Sequence, residues 1–409
     1  MIRPLVVPSP GRSSLSKTKD GTQMKKRMIF KFGVTVIILI AVYLYYVMQS
    51  EDSGVKKGNV NHGEDISFKD DSGKELQMET VDETNGRPIN SDHWKNGIHV
   101  AVVACGDRGE ETVVLLKSAV LFTDKPLVFH IFAENDLQIM FRKELDSWPE
   151  SYKHKILYNI YNITFPQGDP EEWKKLFKPC ASQRLFIPSL LTDVDSLLYV
   201  DTDVLFLQRL EEIWSFFEKF NSTQLAALTP EHEDPSTGWY NRFARHPYYG
   251  KLGVNSGVML MNLTRLRASK WLESLVNYYK EYKLKITWGD QDLINIYFHF
   301  HPDQLYVYSC EWNYRPDHCM YMSVCKDIEI KGVSVLHGCR RVMQNDKQPA
   351  FRAVYIAFKE HDMSSTVQSS LLHNLKQELS KTSNTPCGKL GPIIYTKHIE
   401  EFVLNHSGS

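Results

Sequence analysis

Beyond residue 97 the hydrophobic residues fall into short runs separated by amphipathic stretches. His99–Gly106 reads as a buried strand ending in a small-residue turn, Glu110–Phe122 as a helix and Leu127–Ala133 as a second strand. Strand, helix and strand in that order open a βαβ unit with a parallel sheet. Further strands are expected near Lys155–Ile163, Leu225–Pro230, Val254–Leu263 and Val333–Gly338. Helices are expected at Phe141–Trp148, Cys180–Leu191, Trp271–Tyr282 and Ser369–Leu379. The pattern predicts an α/β domain, mostly parallel, with helices flanking the sheet.

Leu197–Leu207 stands out because two acids, Asp201 and Asp203, interrupt an otherwise apolar run. The run predicts a central strand covered on both faces. Residues two apart on a strand point the same way, so the two carboxylates aim together while Thr202 faces away. Paired acids in a buried setting repel each other unless a cation sits between them, and hard oxygen ligands favour Mn2+ or Mg2+ over zinc. The alternative is a pair of acids capping a turn. Asp193/Asp195 and Asp290/Asp292 share the Asp-x-Asp spacing without the apolar flanks.

Other polar residues fall at strand ends. Ligands of open α/β sheets bind beyond the carboxyl ends of the strands, which puts Ala104, Cys105 and Gly106 at a nucleotide-sized cleft. Arg184, the only cation in its apolar helix, lies just upstream of the two acids. Asn255, Ser256 and Gly257 sit at the start of a buried run, and His337-Gly338 ends a late one, making His337 a third metal-ligand candidate beside an ordinary structural role. Asp290, Gln291 and Asp292 begin a helix, where acids serve as caps. The loop Gly238–Gly253 carries Trp239, Tyr240, Phe243, Tyr248 and Tyr249, suited to stacking on sugar faces or to a plain connection.

The amino-terminal third differs in kind. Residues 1–31 are polar and basic, and Phe32–Met48 carries no charge over seventeen residues. That length reaches ~26 Å, the short end for a bilayer. With basic residues before it and Glu51-Asp52 after it, the segment 32–49 is expected to anchor a type II membrane protein with residues 1–31 cytosolic. Residues 50–97 are polar and acidic with few large apolar residues and read as a lumenal stem. The folded domain spans 98–409.

Composition adds exclusions. The 409 residues are 42% apolar and 24% charged with a net charge of −1, so no basic excess points to nucleic acid. Four Asn-x-Ser/Thr triplets, at Asn162, Asn221, Asn262 and Asn405, suit a lumenal domain, with Asn262 the one expected to be too buried for glycosylation. The seven cysteines, all past the span, leave at least one unpaired. The 310–339 cluster is the expected place for disulfides, and a zinc site there lacks the usual Cys-x2-Cys pair.

Six motifs in order resemble the retaining family 8 glycosyltransferases of GT-A fold, most closely the animal glucoside xylosyltransferases. They are Val-Val-Ala-Cys-Gly at 102–106, Ser-Gln-Arg-Leu-Phe-Ile-Pro around Arg184, Leu-Tyr-Val-Asp-Thr-Asp-Val-Leu, Asn-Ser-Gly-Val-Met at 255–259, Gly-Asp-Gln-Asp at 289–292 and Leu-His-Gly at 336–338. The resemblance covers roughly 98–360. It implies that Asp201, Asp203 and His337 hold Mn2+ against the diphosphate of UDP-xylose, and that Ala104 and Cys105 line the uridine pocket. Arg184, Asn255, Asp290 and Gln291 would surround the donor sugar, with Ser256, Gly257 and Gly338 completing the site. It further implies α-xylose transfer to O-linked glucose on EGF-like repeats, such as those of Notch, in the Golgi or ER. Gln291 would occupy the position of a nucleophile, with Asp290 as the fallback. Arg340-Arg341 follow the His-Gly turn where family members often carry Lys and Trp, with Lys347 further on. Rival readings are a family 8 enzyme with another UDP-sugar donor, and an inactive lumenal sugar-binding protein.

Overall fold

The computed structural model describes residues 92–165, 170–176 and 180–406. The expected tail, span and nearly all of the stem lie outside them. Among the described residues no helix is long and apolar enough to cross a membrane. Asn162, Asn221 and Asn405 are exposed. Asn262 is half-buried, and its side chain caps a helix by accepting the Arg265 N–H at 2.8 Å.

Among the described residues, seven strands form one sheet in the order β3-β2-β1-β4-β7-β6-β8. They are β1 (Ile98–Ala104), β2 (Leu127–Ala133), β3 (Ile156–Tyr161), β4 (Ser196–Val200), β6 (Ala226–Pro230), β7 (Val254–Asn262) and β8 (Leu305–Val307). Only β7 runs against its neighbours, so the sheet is mostly parallel, as expected. Apolar residues fill both faces, since β2 is buried at every position and β7 at all but its last.

The apolar run around the two acids is not one strand. β4 stops at Val200, the chain turns through Asp201–Asp203, and β5 (Val204–Phe206) pairs antiparallel with β9 (Val335–His337) in a separate two-stranded sheet. Carboxylates left inside a covered ladder would lose hydration with no partner, and the turn instead places them beyond the carboxyl end of the central strand β4. Cys180–Leu191 is likewise not one helix but a 3-10 turn, Ala181–Phe186, followed by a single α turn, Ile187–Leu190, which contains Pro188.

The helix Gly109–Leu121 is buried on almost every side. One face meets the sheet, and the other is covered by carboxyl-terminal helices Pro349–Glu360, His373–Ser380 and Ile393–His406, of which the sequence pattern revealed only the second. Lys117 pins this layer. It is 9% exposed, and its Nζ donates to the carbonyls of Phe358, Lys359 and His361 at 3.3, 3.1 and 2.9 Å. A cation thus sits on the orphan carbonyls at a helix carboxyl end.

Six cysteines pair as Cys105–Cys180, Cys310–Cys325 and Cys319–Cys387, leaving Cys339 free. One bridge lies inside the 310–339 cluster as expected. The other two reach far across the chain, and the pairing removes the zinc alternative.

Candidate active site

The site forms where β4, β7 and the small sheet meet. Asp201 N–H donates to the Gly257 carbonyl at 2.8 Å, the last rung between the strands before the turn. The register of β5 with β9 sets Val204 opposite His337, and Gly338 N–H donates to the Asp203 carbonyl at 2.6 Å. Backbone pairing therefore delivers His337 to the two acids across 134 residues of chain (337 − 203). His337 Nε2 lies 3.3 Å from Asp203 Oδ1 and 3.6 Å from Asp201 Oδ2. One ligand atom from each of the three residues falls within 4.8 Å of the others.

The imidazole is held from behind. Its Nδ1 lies 2.8 Å from Asn313 Oδ1, Asn313 Nδ2 donates to Asn255 Oδ1 at 2.9 Å, and Asn255 Oδ1 also accepts the Gly257 N–H at 3.1 Å. This relay turns the Asn313 oxygen toward the ring, engages Nδ1 as a donor and leaves Nε2 as the ring nitrogen that faces the carboxylates. Glycine at 257 is required, because a Cβ there would lie 2.1 Å from His337 Cε1. Two carboxylates and an oriented imidazole fit a divalent cation such as Mn2+ or Mg2+.

Arg184 is 5% exposed and joins the acids to the donor side. Its Nη2 donates to Asp201 Oδ1 at 2.7 Å, its Nε pairs with Asp290 Oδ2, and its Nη1 donates to the Ser256 carbonyl at 2.7 Å. The guanidinium also stacks 4.4 Å from the centroid of the Tyr199 ring. Burial pushes the Asp290 carboxyl up to about 6 against the opposing charge of Arg184. Gln291 is equally fixed. Its Oε1 accepts the Ser256 N–H at 3.1 Å, and its Nε2 donates to Tyr240 Oη at 3.3 Å. Tyr240 Oη in turn donates to Asp292 Oδ1 at 2.8 Å. Asp292 also accepts the backbone N–H groups of Thr287 and Trp288 at 2.7 Å, so it braces the loop that leads into the helix; the N-cap position itself is Gly289 with no side-chain cap, contrary to the capping role expected, and Asp290 faces the site.

A cavity of about 440 Å³ connects these groups. Cys105, Gly106 and Arg108 line one end. Asp201, Asp203 and His337 lie in its wall with Arg184, Asn255, Ser256, Asp290 and Gln291, and Glu231, Trp288, Arg315, Asp317, Cys339, Arg340 and Arg341 also line it. Ala104 does not take the place expected of it. It is fully buried, and Val103 and Cys105 line the cavity instead. The Cys105 sulfur is committed to Cys180, which ties the segment carrying Arg184 to the end of β1. Gly257 and Gly338 serve through lack of bulk, since a Cβ on Gly338 would meet Met343 Cγ at 2.8 Å. Asn313, Tyr199 and Tyr240 escaped the sequence reading. Asn313 lies between cysteines with no motif around it, and Tyr240 was seen only as one aromatic in a loop.

This mostly parallel α/β fold with its acid–acid–histidine site belongs to a glycosyltransferase: residues 99–340 match glycosyl transferase family 8, and the chain belongs to that family. It is 56% identical over 315 residues to glucoside xylosyltransferase 2 of Mus musculus, covering 74% of this chain and 71% of the relative. It is 57% identical over 304 residues to glucoside xylosyltransferase 1 of Gallus gallus, with 72% and 70% covered. Against glucoside xylosyltransferase 1 of Danio rerio it is 46% identical over 374 residues, with 88% and 92% covered.

Proposed function

We propose that this protein transfers xylose from UDP-xylose, with retention of configuration, to glucose O-linked on EGF-like repeats. The observation that carries the reading is the Asp201/Asp203/His337 set, oriented by Asn313, at the wall of a cavity that runs from Cys105 to Gln291. The identity to proteins named glucoside xylosyltransferase supports the donor and the acceptor.

Asp201, Asp203 and His337 would hold Mn2+, or Mg2+ in its place. Bound there, the cation would offset the charge that develops on the departing diphosphate. Arg184 keeps Asp201 Oδ1 occupied, so the remaining oxygen, Oδ2, is the one turned toward His337. Gln291 presents a neutral amide, held by Ser256 and Tyr240, and a neutral amide is a poor nucleophile. Asp290 is paired with Arg184, and the guanidinium draws on the carboxylate charge that an attack on the donor carbon would need. Both facts support a same-face mechanism, in which the leaving phosphate oxygen takes the proton of the acceptor hydroxyl as the new bond forms. We further place the protein as a type II enzyme of the Golgi or ER, with residues 32–49 as the anchor and 50–97 as the stem.

The test is incubation of the lumenal domain with UDP-xylose, UDP-glucose and an O-glucosylated EGF repeat, with Mn2+ or with EDTA. Xylose transfer that requires the metal and strongly prefers UDP-xylose is the expected result. A site that excludes the extra CH2OH sterically discriminates more than the roughly 1–3 kcal/mol of a hydrophobic pocket. Equal kcat/KM for the two donors would overturn the donor assignment.

A further inference from the structure

The rim of the sheet arranges its loop ends in a row. Cys105 follows β1, Asp201 follows β4, Asn255 stands at the start of the reversed strand β7, and Glu231 follows β6. Because the sheet order is β1-β4-β7-β6, these four ends lie side by side in that sequence. A UDP-sugar read as above fills the first three in turn: base beside Cys105, diphosphate at Asp201 and Asp203, sugar near Asn255 and Gln291. The fourth lies beyond the sugar, where an acceptor must stand to reach the anomeric carbon.

The groups there are built for a ligand. Arg315 is 1% exposed and donates from Nη2 to the carbonyls of Pro230, at 3.1 Å, and Glu231. Its Nε and Nη1 are buried without a hydrogen-bond partner, an expensive state for a guanidinium unless a ligand or water completes it. Arg340 grips Asp317 with contacts of 2.8 and 2.7 Å to its two oxygens, and it does so from a backbone φ of 54°, a left-handed conformation that costs energy for a side-chain-bearing residue. Glu231, Arg315, Asp317 and Arg340 all line the one cavity, with Trp288 offering an aromatic surface in the same wall. Each guanidinium there already faces an acid: Arg340 grips Asp317, Arg341 pairs with Asp107 and Arg315 lies against Glu231. That balance is poor for a phosphate. It suits a polyhydroxyl ligand, whose hydroxyls donate to carboxylates and accept from guanidinium N–H groups.

We propose that Glu231, backed by Arg315 and the Asp317–Arg340 pair, is the subsite for the hydroxyls of the acceptor sugar. Glu231 N–H donates to the Gly253 carbonyl at 2.9 Å, which links the subsite to the aromatic loop Gly238–Gly253. The assignment rests on the transfer reaction proposed above. Glu231 is a specificity-determining residue in it, and Arg315 is a positioning residue that acts through the Glu231 loop.

The experiment measures two things on Glu231→Gln, Glu231→Asp and Asp317→Asn: the acceptor KM and kcat for the O-glucosylated EGF repeat, and the Kd of UDP with Mn2+ by calorimetry. Loss of a hydrogen bond to a charged group should raise the acceptor KM roughly ten- to a hundredfold for Glu231→Gln. Glu231→Asp should recover part of that, and the UDP Kd should stay within about twofold of wild type on the same reasoning. Melting temperatures close to wild type exclude misfolding as the cause. An unchanged acceptor KM overturns the proposal. So does a UDP Kd that weakens in step, because the cluster then serves the donor. Failure of the underlying function shows separately in the wild type. If it glycosylates some other sugar, the same KM split on that sugar still decides Glu231, and if it uses no acceptor at all, both readings fall.

Discussion

His337 Nδ1 faces Asn313 Oδ1 at 2.8 Å, and that one contact decides which ring nitrogen is left for a metal. Partners of this kind set the tautomer and orientation of ligating histidines, and their loss costs about 10–100-fold in metal affinity or activity. Asn313→Ala should therefore weaken Mn2+ binding by that factor while all three ligands remain. Calorimetric titration of Mn2+ in the presence of UDP checks it, and wild-type affinity in the variant would show that the relay has no part in holding the ion.

The chain supplies its own control for the acidic pair. Asp201→Asn, Asp203→Asn and His337→Ala should each reduce activity by at least about a hundredfold, on the scale of losing an electrostatic stabiliser of the leaving group. Asp193 and Asp195 carry the same spacing but are exposed in the turn before β4, where Asp195 Oδ2 accepts only from the neighbouring Ser196 hydroxyl among the described residues. Their Asn variants should stay within about twofold of wild type, since surface changes of this kind are small. Activity assays on all five variants settle the comparison. Loss of activity in the 193/195 pair with tolerance at 201/203 would put the site elsewhere.

Thiol chemistry gives a third expectation. In unreduced protein iodoacetamide should label Cys339 and no other cysteine, and UDP with Mn2+ should slow the labelling because Cys339 lines the cavity. Cys180→Ser opens the Cys105–Cys180 link, which spans 75 residues, and the chain-entropy account assigns about 4 kcal/mol to such a closure. Peptide mapping and thermal melts read the two effects, and uptake of label at a second cysteine would contradict the pairing.

Acid should loosen the carboxyl-terminal layer. Burial, aided by the Lys117 charge, lowers His361 from the ordinary histidine value to about 4. The unfolded chain then binds more protons than the folded one between about 4 and 6.5, so stability is full above 6.5 and falls as pH drops through that window. The shift corresponds to about 3 kcal/mol of lost stability at the acid end, to order of magnitude. His361→Asn should flatten the fall. Melting temperatures from pH 7 to pH 4 test this, and parallel curves for the two proteins would refute it.

Local pattern was enough to mark the strands β1, β2, β6 and β7, the helix Trp271–Tyr282, the helix start at Asp290 and the special standing of Asp201 and Asp203. Each of these is set by burial period or by the cost of isolating charge within a few residues of chain. The tertiary structure alone decided where the apolar run breaks, because β4 and β5 look alike in sequence and differ only in which distant strand each one meets. It also decided that Asn313 stands behind His337, that Cys105 pairs with Cys180, and that helices beyond residue 349 cover Gly109–Leu121. These relationships join residues tens to hundreds of positions apart. Side-chain periodicity records how deeply a residue is buried and not against what, so partners of that kind are fixed only when sheet order and loop paths bring them together.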